Sequence, residues 1–116
     1  MVHHRPAGVA GLITPWNFPL AMLAKKLGGA LAAGCPSVVK PAELTPLSCI
    51  ALFTLLDRLD LPPGTVNLVF GRAPEIGRVL CDRPEVRVIS FTGSTGVGQL
   101  LAAQCAPGIK RLSLEL

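Results

Sequence analysis

An amide between two prolines is the first side chain of the sequence with an evident chemical use. Asn17 lies between Pro15 and Pro19, and a proline fixes its own φ and restricts the residue before it. An amide held in this way can donate a preorganised hydrogen bond to an oxygen on which negative charge develops. The same side chain could instead satisfy the backbone of its own turn, and the sequence leaves both uses open.

A glycine-rich turn later in the chain combines small residues with hydroxyl groups. The segment FTGSTGVG, residues 91–98, follows an apolar run and precedes a helical pattern. Glycines let backbone N–H groups approach a phosphate, and a helix N-terminus adds partial positive charge. The spacing is neither the G-x-G-x-x-G fingerprint nor a P-loop, so a tight turn with a helix cap is the alternative interpretation.

Two carboxylates complete the set of candidate residues. Lys40 and Glu43 could grip the vicinal hydroxyls of a ribose, and the carboxylate would repel a 2′-phosphate and so favour NAD over NADP. An exposed ion pair of little energetic value is the alternative. Glu115 interrupts the apolar stretch LSLEL; if buried, it should have a raised pKa and could act as a general base. A solvent-facing glutamate at a strand end is equally compatible with the sequence.

The elements that must position these residues alternate between apolar runs and helical patterns. The predicted strands are Val9–Thr14, Ser37–Lys40, Val66–Phe70, Arg87–Thr92 and Arg111–Leu116, and the predicted helices are Leu20–Ala33, Pro46–Leu59, Pro74–Cys81 and Thr95–Gln104. The alternation indicates an α/β fold, a Rossmann-like parallel sheet of about five strands with helices on both faces. Ligands of such sheets bind beyond the carboxyl ends of the strands, which selects residues 14–19, 40–43, 71–74 and 93–98.

Local signals refine the helix ends. Thr45 is a plausible cap before Pro46 in the second helix, and Gly34 is suited to end the first. Gly28 and Gly29 inside the first helix each cost about 1 kcal/mol relative to Ala, so we expect that helix to pack closely against the sheet there. Close approach of a ligand is the alternative explanation for this glycine pair.

Composition narrows the class of partner. The net charge is +4, the basic residues are scattered, and the aromatic residues are four Phe and one Trp, which argues against nucleic acid and fits a small anionic ligand. Lys25 and Lys26 interrupt the best apolar stretch, so we expect no membrane span, and no secretory signal is visible. Four irregularly spaced cysteines predict neither a metal site nor disulfides and favour a reducing compartment, the cytoplasm or the mitochondrial matrix.

Taken in order, the motifs PWNFP, KPAE-x-TP, FTGST-x-x-G and LEL resemble the aldehyde dehydrogenase superfamily over nearly the whole chain. The stretch around Lys26 and ALAAGC is most similar to the succinate-semialdehyde dehydrogenase branch. The resemblance implies NAD(P)-dependent oxidation of an aldehyde, such as succinate semialdehyde, to a carboxylic acid. It also implies covalent catalysis by a cysteine thiolate, a small-molecule aldehyde as substrate and a homo-oligomeric parent enzyme.

The resemblance also implies a role for each matching residue. Asn17 would donate to the oxyanion, Glu115 would be the general base, and Lys25 would meet the substrate carboxylate, where the branch typically has Arg. Trp16 would flank the nicotinamide end, Gly71 and Val97 the adenine, and Gly93 and Ser94 the pyrophosphate. The full set of implied contacts to NAD, with NADP as the alternative, is Thr14, Pro15, Trp16, Lys40, Pro41, Ala42, Glu43, Gly71, Gly93, Ser94, Thr95, Val97 and Gly98.

The sequence departs from the family pattern at the nucleophile. None of the four cysteines occupies a place matching the catalytic cysteine, which in the family lies downstream of the LEL motif. We therefore expect residues 1–116 to be the NAD-binding part of an aldehyde dehydrogenase without its catalytic-Cys domain, inactive alone. A non-enzymatic nucleotide-binding or interaction module and a CoA-acylating semialdehyde dehydrogenase are the alternatives, and a dedicated base at Glu115 disfavours the latter.

Overall fold

The computed structural model describes all 116 residues and contains a five-stranded sheet with four helices. The elements are β1 (Val9–Ile13), α1 (Pro19–Ala32), β2 (Ser37–Lys40), α2 (Leu47–Leu56), β3 (Val66–Leu68), α3 (Ala73–Asp82), β4 (Val86–Thr92), α4 (Thr95–Cys105), a 3₁₀ turn (Ala106–Gly108) and β5 (Arg111–Glu115). All strand pairs are parallel. The predicted α/β class is confirmed, and most predicted element bounds differ from the observed ones by one to three residues.

The strand order, β3-β2-β1-β4-β5, places the first strand at the centre of the sheet. β1 pairs with β2 on one side and with β4 on the other, so the chain reverses its direction of winding at this point. In open α/β sheets the ligand crevice forms at such a switch point, beyond the carboxyl ends of the two strands that flank it. Here the loops after Ile13 and after Thr92 occupy that position.

Two apolar layers cover the sheet, one on each face. Helices α1 and α2 pack on one face, where Leu23, Val39 and Cys49 are completely buried. Helices α3 and α4 pack on the other, with Ile89 and Cys105 at its centre. These two cores confirm the prediction that helices cover both faces of the sheet. The edge strand β3 is only half-buried, because it lacks a neighbour on one side.

One prediction about the helices is confirmed and two are wrong. Gly34 has φ +69° and ends the turn after α1, as predicted. Thr45 does not cap α2: the residue at the cap position is Pro46, and the Thr45 hydroxyl is buried without a partner. Gly28 and Gly29 are exposed, and a Cβ at either would meet no atom within 4 Å, so the expected close packing against the sheet is wrong.

Backbone hydrogen bonds join the tips of the strands beyond the regular ladder. Thr14 N donates to Lys40 O over 3.2 Å, and Gly93 N donates to Glu115 O over 3.1 Å. These bonds fix the loop after β1 against the end of β2 and the glycine-rich turn against the end of β5. The loops that carry the candidate residues are therefore tied to the ends of neighbouring strands. None of the helices combines the length and the apolar composition that crossing a bilayer requires.

Candidate functional site

A cavity of about 460 Å³ opens at the carboxyl ends of β1, β4 and β5. It is lined by Pro15, Trp16, Asn17, Thr92, Gly93, Ser94, Glu115 and Leu116. Residues that are almost a hundred positions apart in the chain therefore share one cleft at the switch point of the sheet. The structure brings together the amide, the glycine-rich turn and the second carboxylate that the sequence singled out. We refer to this cavity as the central cleft.

Glu115 is held in the central cleft by two hydrogen bonds. Lys25 Nζ lies 2.5 Å from Glu115 Oε1, and the Thr92 hydroxyl donates to Oε2 over 3.0 Å. The carboxylate side chain is 40% exposed. The hydrogen bond from Lys25 and then that from Thr92 lower the pKa of Glu115, because both donors favour the ionised form. Of the two interpretations that the sequence left open, the buried carboxyl with a raised pKa is therefore wrong.

Removal of the Lys25 charge should raise the pKa of Glu115. In Lys25→Met the strongest donor is lost, so the carboxylate titrates closer to the value of an unperturbed glutamate, which ¹³C NMR of the side-chain carboxyl would record. Because folding lowers the pKa of Glu115, the ionised carboxylate stabilises the folded chain at pH values above the unfolded-state pKa. This contribution is lost as the pH falls through the folded-state pKa. Arg58→Met removes the same charge beyond the C-terminal end of α2 and should leave Glu115 unchanged. Equal titration curves for Lys25→Met and the parent chain would contradict this assignment.

The PWNFP loop ends where helix α1 begins. Pro19 is the first residue of that helix, where its fixed φ is compatible with the first turn and its missing N–H is not required. Trp16 is 63% exposed beside Asn17, and no side-chain hydrogen bond ties the Asn17 amide to its own turn. Thr14, which precedes the loop, is buried, and its hydroxyl has no partner. The loop therefore presents an available amide at the cleft, and the residue before the loop has an unsatisfied buried hydroxyl.

The sequence suggested no functional role for a second lysine, Lys26, which lies on the buried face of helix α1. Lys26 is 9% exposed, and its Nζ donates to Ser90 Oγ on β4 over 2.8 Å. Burial is the largest cause of the lowered pKa of this ammonium, Lys25 adds to it, and Glu115 opposes both. The buried stripe of α1 shows the signal that could have found it, because Lys26 follows Leu23 by three residues and precedes Ala30 by four.

The N-terminus of α4 faces the same cleft. Ser94 is its N-cap residue and accepts a hydrogen bond from Val97 N over 3.4 Å, so the helix-cap interpretation of this turn is observed. Thr95, Gly96 and Val97 are exposed on the first turn, and a Cβ at Gly96 would meet nothing within 4 Å. The structure places Gly98 differently. It is buried, and a Cβ there would lie 2.5 Å from a Leu116 methyl.

A second cavity, of about 400 Å³, lies toward the β3 edge of the sheet. It is lined by Glu43, Gly71, Arg72, Ala73 and Pro74. Glu43 Oε1 accepts hydrogen bonds from Lys40 Nζ over 3.3 Å and from Ala73 N over 2.9 Å. The Lys40 side chain is only 5% exposed, so the pair differs from the fully exposed ion pair considered above. Pro41 is buried and Ala42 half-buried between the two partners.

The two cavities both lie at the end of the sheet that the carboxyl termini of the strands form. The tips of β2 and β5 are three strand spacings apart, which corresponds to about 14 Å. Gly71, with φ +143°, allows the chain to turn from β3 into α3 at one side of this end of the sheet, and Glu115 marks the other side. Polar groups therefore occur at both of these positions along the carboxyl ends of the strands. This architecture is a Rossmann-like α/β fold with the central cleft at its switch point.

The chain belongs to the aldehyde dehydrogenase family, whose family model matches residues 1–116. It is 56% identical over 116 residues to the mitochondrial succinate-semialdehyde dehydrogenase of Arabidopsis thaliana, covering 100% of this chain and 22% of that protein. It is 55% identical over 117 residues to a probable NADP⁺ succinate-semialdehyde dehydrogenase of Sinorhizobium fredii, again with 100% of this chain and 24% of the relative. The chain therefore spans less than a quarter of the length of these relatives.

Solved structures agree with this assignment. An oxidoreductase of Marinobacter aquaeolei superposes with a TM-score of 0.96 at 60% identity, over 98% of this chain and 24% of that one. Aldehyde dehydrogenase C of Pseudomonas syringae, solved in complex with NAD⁺ and octanal, superposes with a TM-score of 0.93 at 46% identity, over 97% of this chain and 23% of that one. Relatives of this chain thus include proteins described with NAD⁺ and with NADP⁺.

Proposed function

We propose that this chain forms the cofactor-binding part of an NAD(P)-dependent dehydrogenase that oxidises an acidic aldehyde, such as succinate semialdehyde, to a carboxylic acid. The observation that carries the proposal is the central cleft, where Asn17, Ser94 and Glu115 meet at the switch point of a parallel sheet. Family membership supplies the reaction class. In this cleft, Asn17 would supply a hydrogen-bond donor and Glu115 a proton acceptor for the reaction.

The elongated edge fits a dinucleotide. Glu43 with Lys40 would hold the adenosine ribose, and the open first turn of α4 would face the pyrophosphate. The unpartnered Thr14 hydroxyl and the exposed Trp16 ring would meet the nicotinamide end. When bound, NAD would supply the hydride acceptor. Pro15, Pro41, Ala42, Gly71, Thr95 and Val97 complete the proposed contacts, and Gly98, buried under Leu116, would act through packing.

The chain's own groups would act on the aldehyde as follows. The Asn17 amide would donate a hydrogen bond to the carbonyl oxygen as its negative charge grows, a contribution of about 10²–10³ in rate for one such donor. Glu115, a carboxylate that is ionised at neutral pH, would accept a proton from water that attacks the acyl intermediate. The ion pair with Lys25 orients this carboxylate toward the cleft.

Lys25 also supports an acidic substrate. Its side chain is 63% exposed beside Glu115, and one ammonium has three donors, so it can hold the base and still meet a carboxylate on the substrate. Two of the relatives are described as succinate-semialdehyde dehydrogenases, which act on an aldehyde of that kind. A glutamate base in the cleft favours hydrolysis of the acyl group over its transfer to CoA.

NAD binding to the chain tests the proposal. Titration of ¹⁵N-labelled protein with NAD should shift the amide signals of Gly93, Ser94 and Glu43, with weak affinity of about 1 mM, because one edge of the sheet encloses little of the ligand. Amides at the opposite edge, such as Glu85, serve as the internal control. Shifts confined to that opposite edge, or none at saturating NAD, would overturn the proposal and leave a non-enzymatic interaction module.

Glu43 should set the preference for NAD over NADP. Glu43→Gln keeps the shape of the side chain and removes the charge that would repel a 2′-phosphate, so the ratio of the NADP to the NAD dissociation constant should fall about tenfold. The same titration measures both constants. Glu85→Gln removes an equal charge before β4, at the far edge, and should leave the ratio unchanged. An unchanged ratio in Glu43→Gln would place the ribose elsewhere.

A further inference from the structure

Two cysteines from helices α3 and α4 are in contact in the core between these helices and the sheet. Cys81 lies one residue before the end of α3, and Cys105 is the last residue of α4. The Cys105 thiol donates to Cys81 Sγ with the two sulfurs 3.4 Å apart, and both residues are free cysteines with at most 4% exposure. Cys35 and Cys49 belong to the core on the other face. The proposed reaction uses none of these four thiols.

The pair is reachable by a small molecule. Cys81 lines a cavity of about 410 Å³ whose walls include Arg87, Gln104 and Lys110. This cavity lies at the edge of the sheet opposite the central cleft, since Arg87 and Lys110 are at the beginning of β4 and just before β5. A water-sized oxidant can therefore approach Cys81 without entering the proposed active site, while Cys105 lies behind it.

We propose that Cys81 and Cys105 are an oxidation site, at which a peroxide such as hydrogen peroxide joins α3 to α4 through a disulfide. The Cys81 sulfur attacks one peroxide oxygen, the O–O bond breaks, water leaves, and a sulfenic acid forms. The Cys105 sulfur then attacks Cys81 Sγ, the S–S bond forms, the S–O bond breaks, and a second water leaves. Two thiols thus lose two electrons and two protons, and one peroxide is reduced to two waters.

The geometry requires little movement. The sulfurs must approach from 3.4 Å to about 2.05 Å, a change that adjustment of the two helix ends can absorb. Burial and the hydrogen bond from Cys105 raise the pKa of the Cys81 thiol to about 12, so its thiolate is scarce at neutral pH and oxidation is slow. The cross-link would close a loop between positions 81 and 105 and restrict the unfolded chain.

Peptide mapping after peroxide treatment tests the inference. The chain should lose about 2 Da, as expected for two thiols converted to one disulfide, and its melting temperature should rise by at least about 5 °C until dithiothreitol reverses the change. Trypsin separates the two partners, since Cys81 lies in the peptide 79–87 and Cys105 in the peptide 88–110. Cys35 and Cys49 share the peptide 27–58, so any other pairing is distinguishable.

Cysteine variants provide the matched controls. The double variant Cys35→Ala with Cys49→Ala should still form the cross-link, and Cys105→Ala should instead gain oxygen at Cys81 without losing 2 Da, as expected for sulfenic or sulfinic acid. Should either variant fail to fold, the mapping of the unaltered chain decides alone. Oxygen addition without a link between peptides 79–87 and 88–110, a link to peptide 27–58, or four thiols still free after treatment would each overturn the proposal.

Discussion

The 116-residue chain, incubated with NAD and succinate semialdehyde, is expected to produce no NADH above the uncatalysed background. Covalent oxidation of an aldehyde needs a thiolate beside the hydrogen-bond donor and the base. All four cysteines are buried in the two cores of the sheet, and none lines the central cleft with Asn17 and Glu115. The deficit relative to an intact enzyme should therefore be at least about 10⁶-fold, the lower range of enzymatic acceleration.

Absorbance at the NADH band over a long incubation measures this directly. The Arabidopsis succinate-semialdehyde dehydrogenase, assayed in the same buffer, verifies that substrate and cofactor are competent. A chain with all four cysteines changed to serine shows whether any residual rate depends on a thiol. Steady turnover by the unaltered chain, absent in this variant, would mean that a buried cysteine reaches the cleft. The prediction that these 116 residues lack a nucleophile would then be wrong. Because a chain that fails to bind NAD would also produce no NADH, the NMR titration must report NAD binding separately.

Truncation of Leu23 should produce the largest loss of stability. This side chain is completely buried between α1 and the sheet, in the core that also contains Leu12 and Val39. Leu23→Ala removes apolar contacts and leaves a cavity, so the free energy of unfolding should fall by about 3 kcal/mol. For a domain of this size the melting temperature should fall by roughly 10 °C. Because α1 follows Asn17 and contains Lys25, its loosening should also weaken NAD binding.

Leu20 offers a matched control on the same helix. It is 50% exposed, so Leu20→Ala should change the free energy of unfolding by less than about 1 kcal/mol. Urea unfolding followed by circular dichroism measures both variants, and an unchanged m-value would show that the midpoint shift reflects stability alone. Equal destabilisation by the two substitutions would show that α1 does not pack through Leu23, in conflict with the core described above.

The location of Glu115 shows how far sequence patterns reach. A glutamate in the apolar stretch LSLEL is a candidate site residue. The alternation of side chains along one strand, however, does not show whether that glutamate is buried or lies at the strand end beside hydrogen-bond donors. Its lowered pKa comes from Lys25 and Thr92, which are 90 and 23 positions away in the chain. The buried hydrogen bond of Lys26 was missed for the same reason, because its partner Ser90 is brought near only by the pairing of β1 with β4.

The glycines illustrate the opposite error. Gly28 and Gly29 look like contact points in a helix, yet open space surrounds both. A Cβ at Gly98, by contrast, would lie 2.5 Å from a methyl of Leu116, whose side chain would have to shift. Composition along a helix gives the cost of a glycine but not the neighbour that would explain it. Thr45 shows a similar limit. It is a residue type that often caps helices and it precedes α2, but its hydroxyl makes no hydrogen bond to the helix backbone.

The sequence by itself determined the α/β class, the alternation of elements and the segments at the strand tips, because hydrophobic periodicity and breaker residues are local properties. Tertiary structure alone decided the order β3-β2-β1-β4-β5, and with it which tips share a cleft. It also decided the lowered pKa of Glu115 and the contact of Cys81 with Cys105. These features depend on distances between residues far apart in the chain, and such distances exist only once the sheet has assembled.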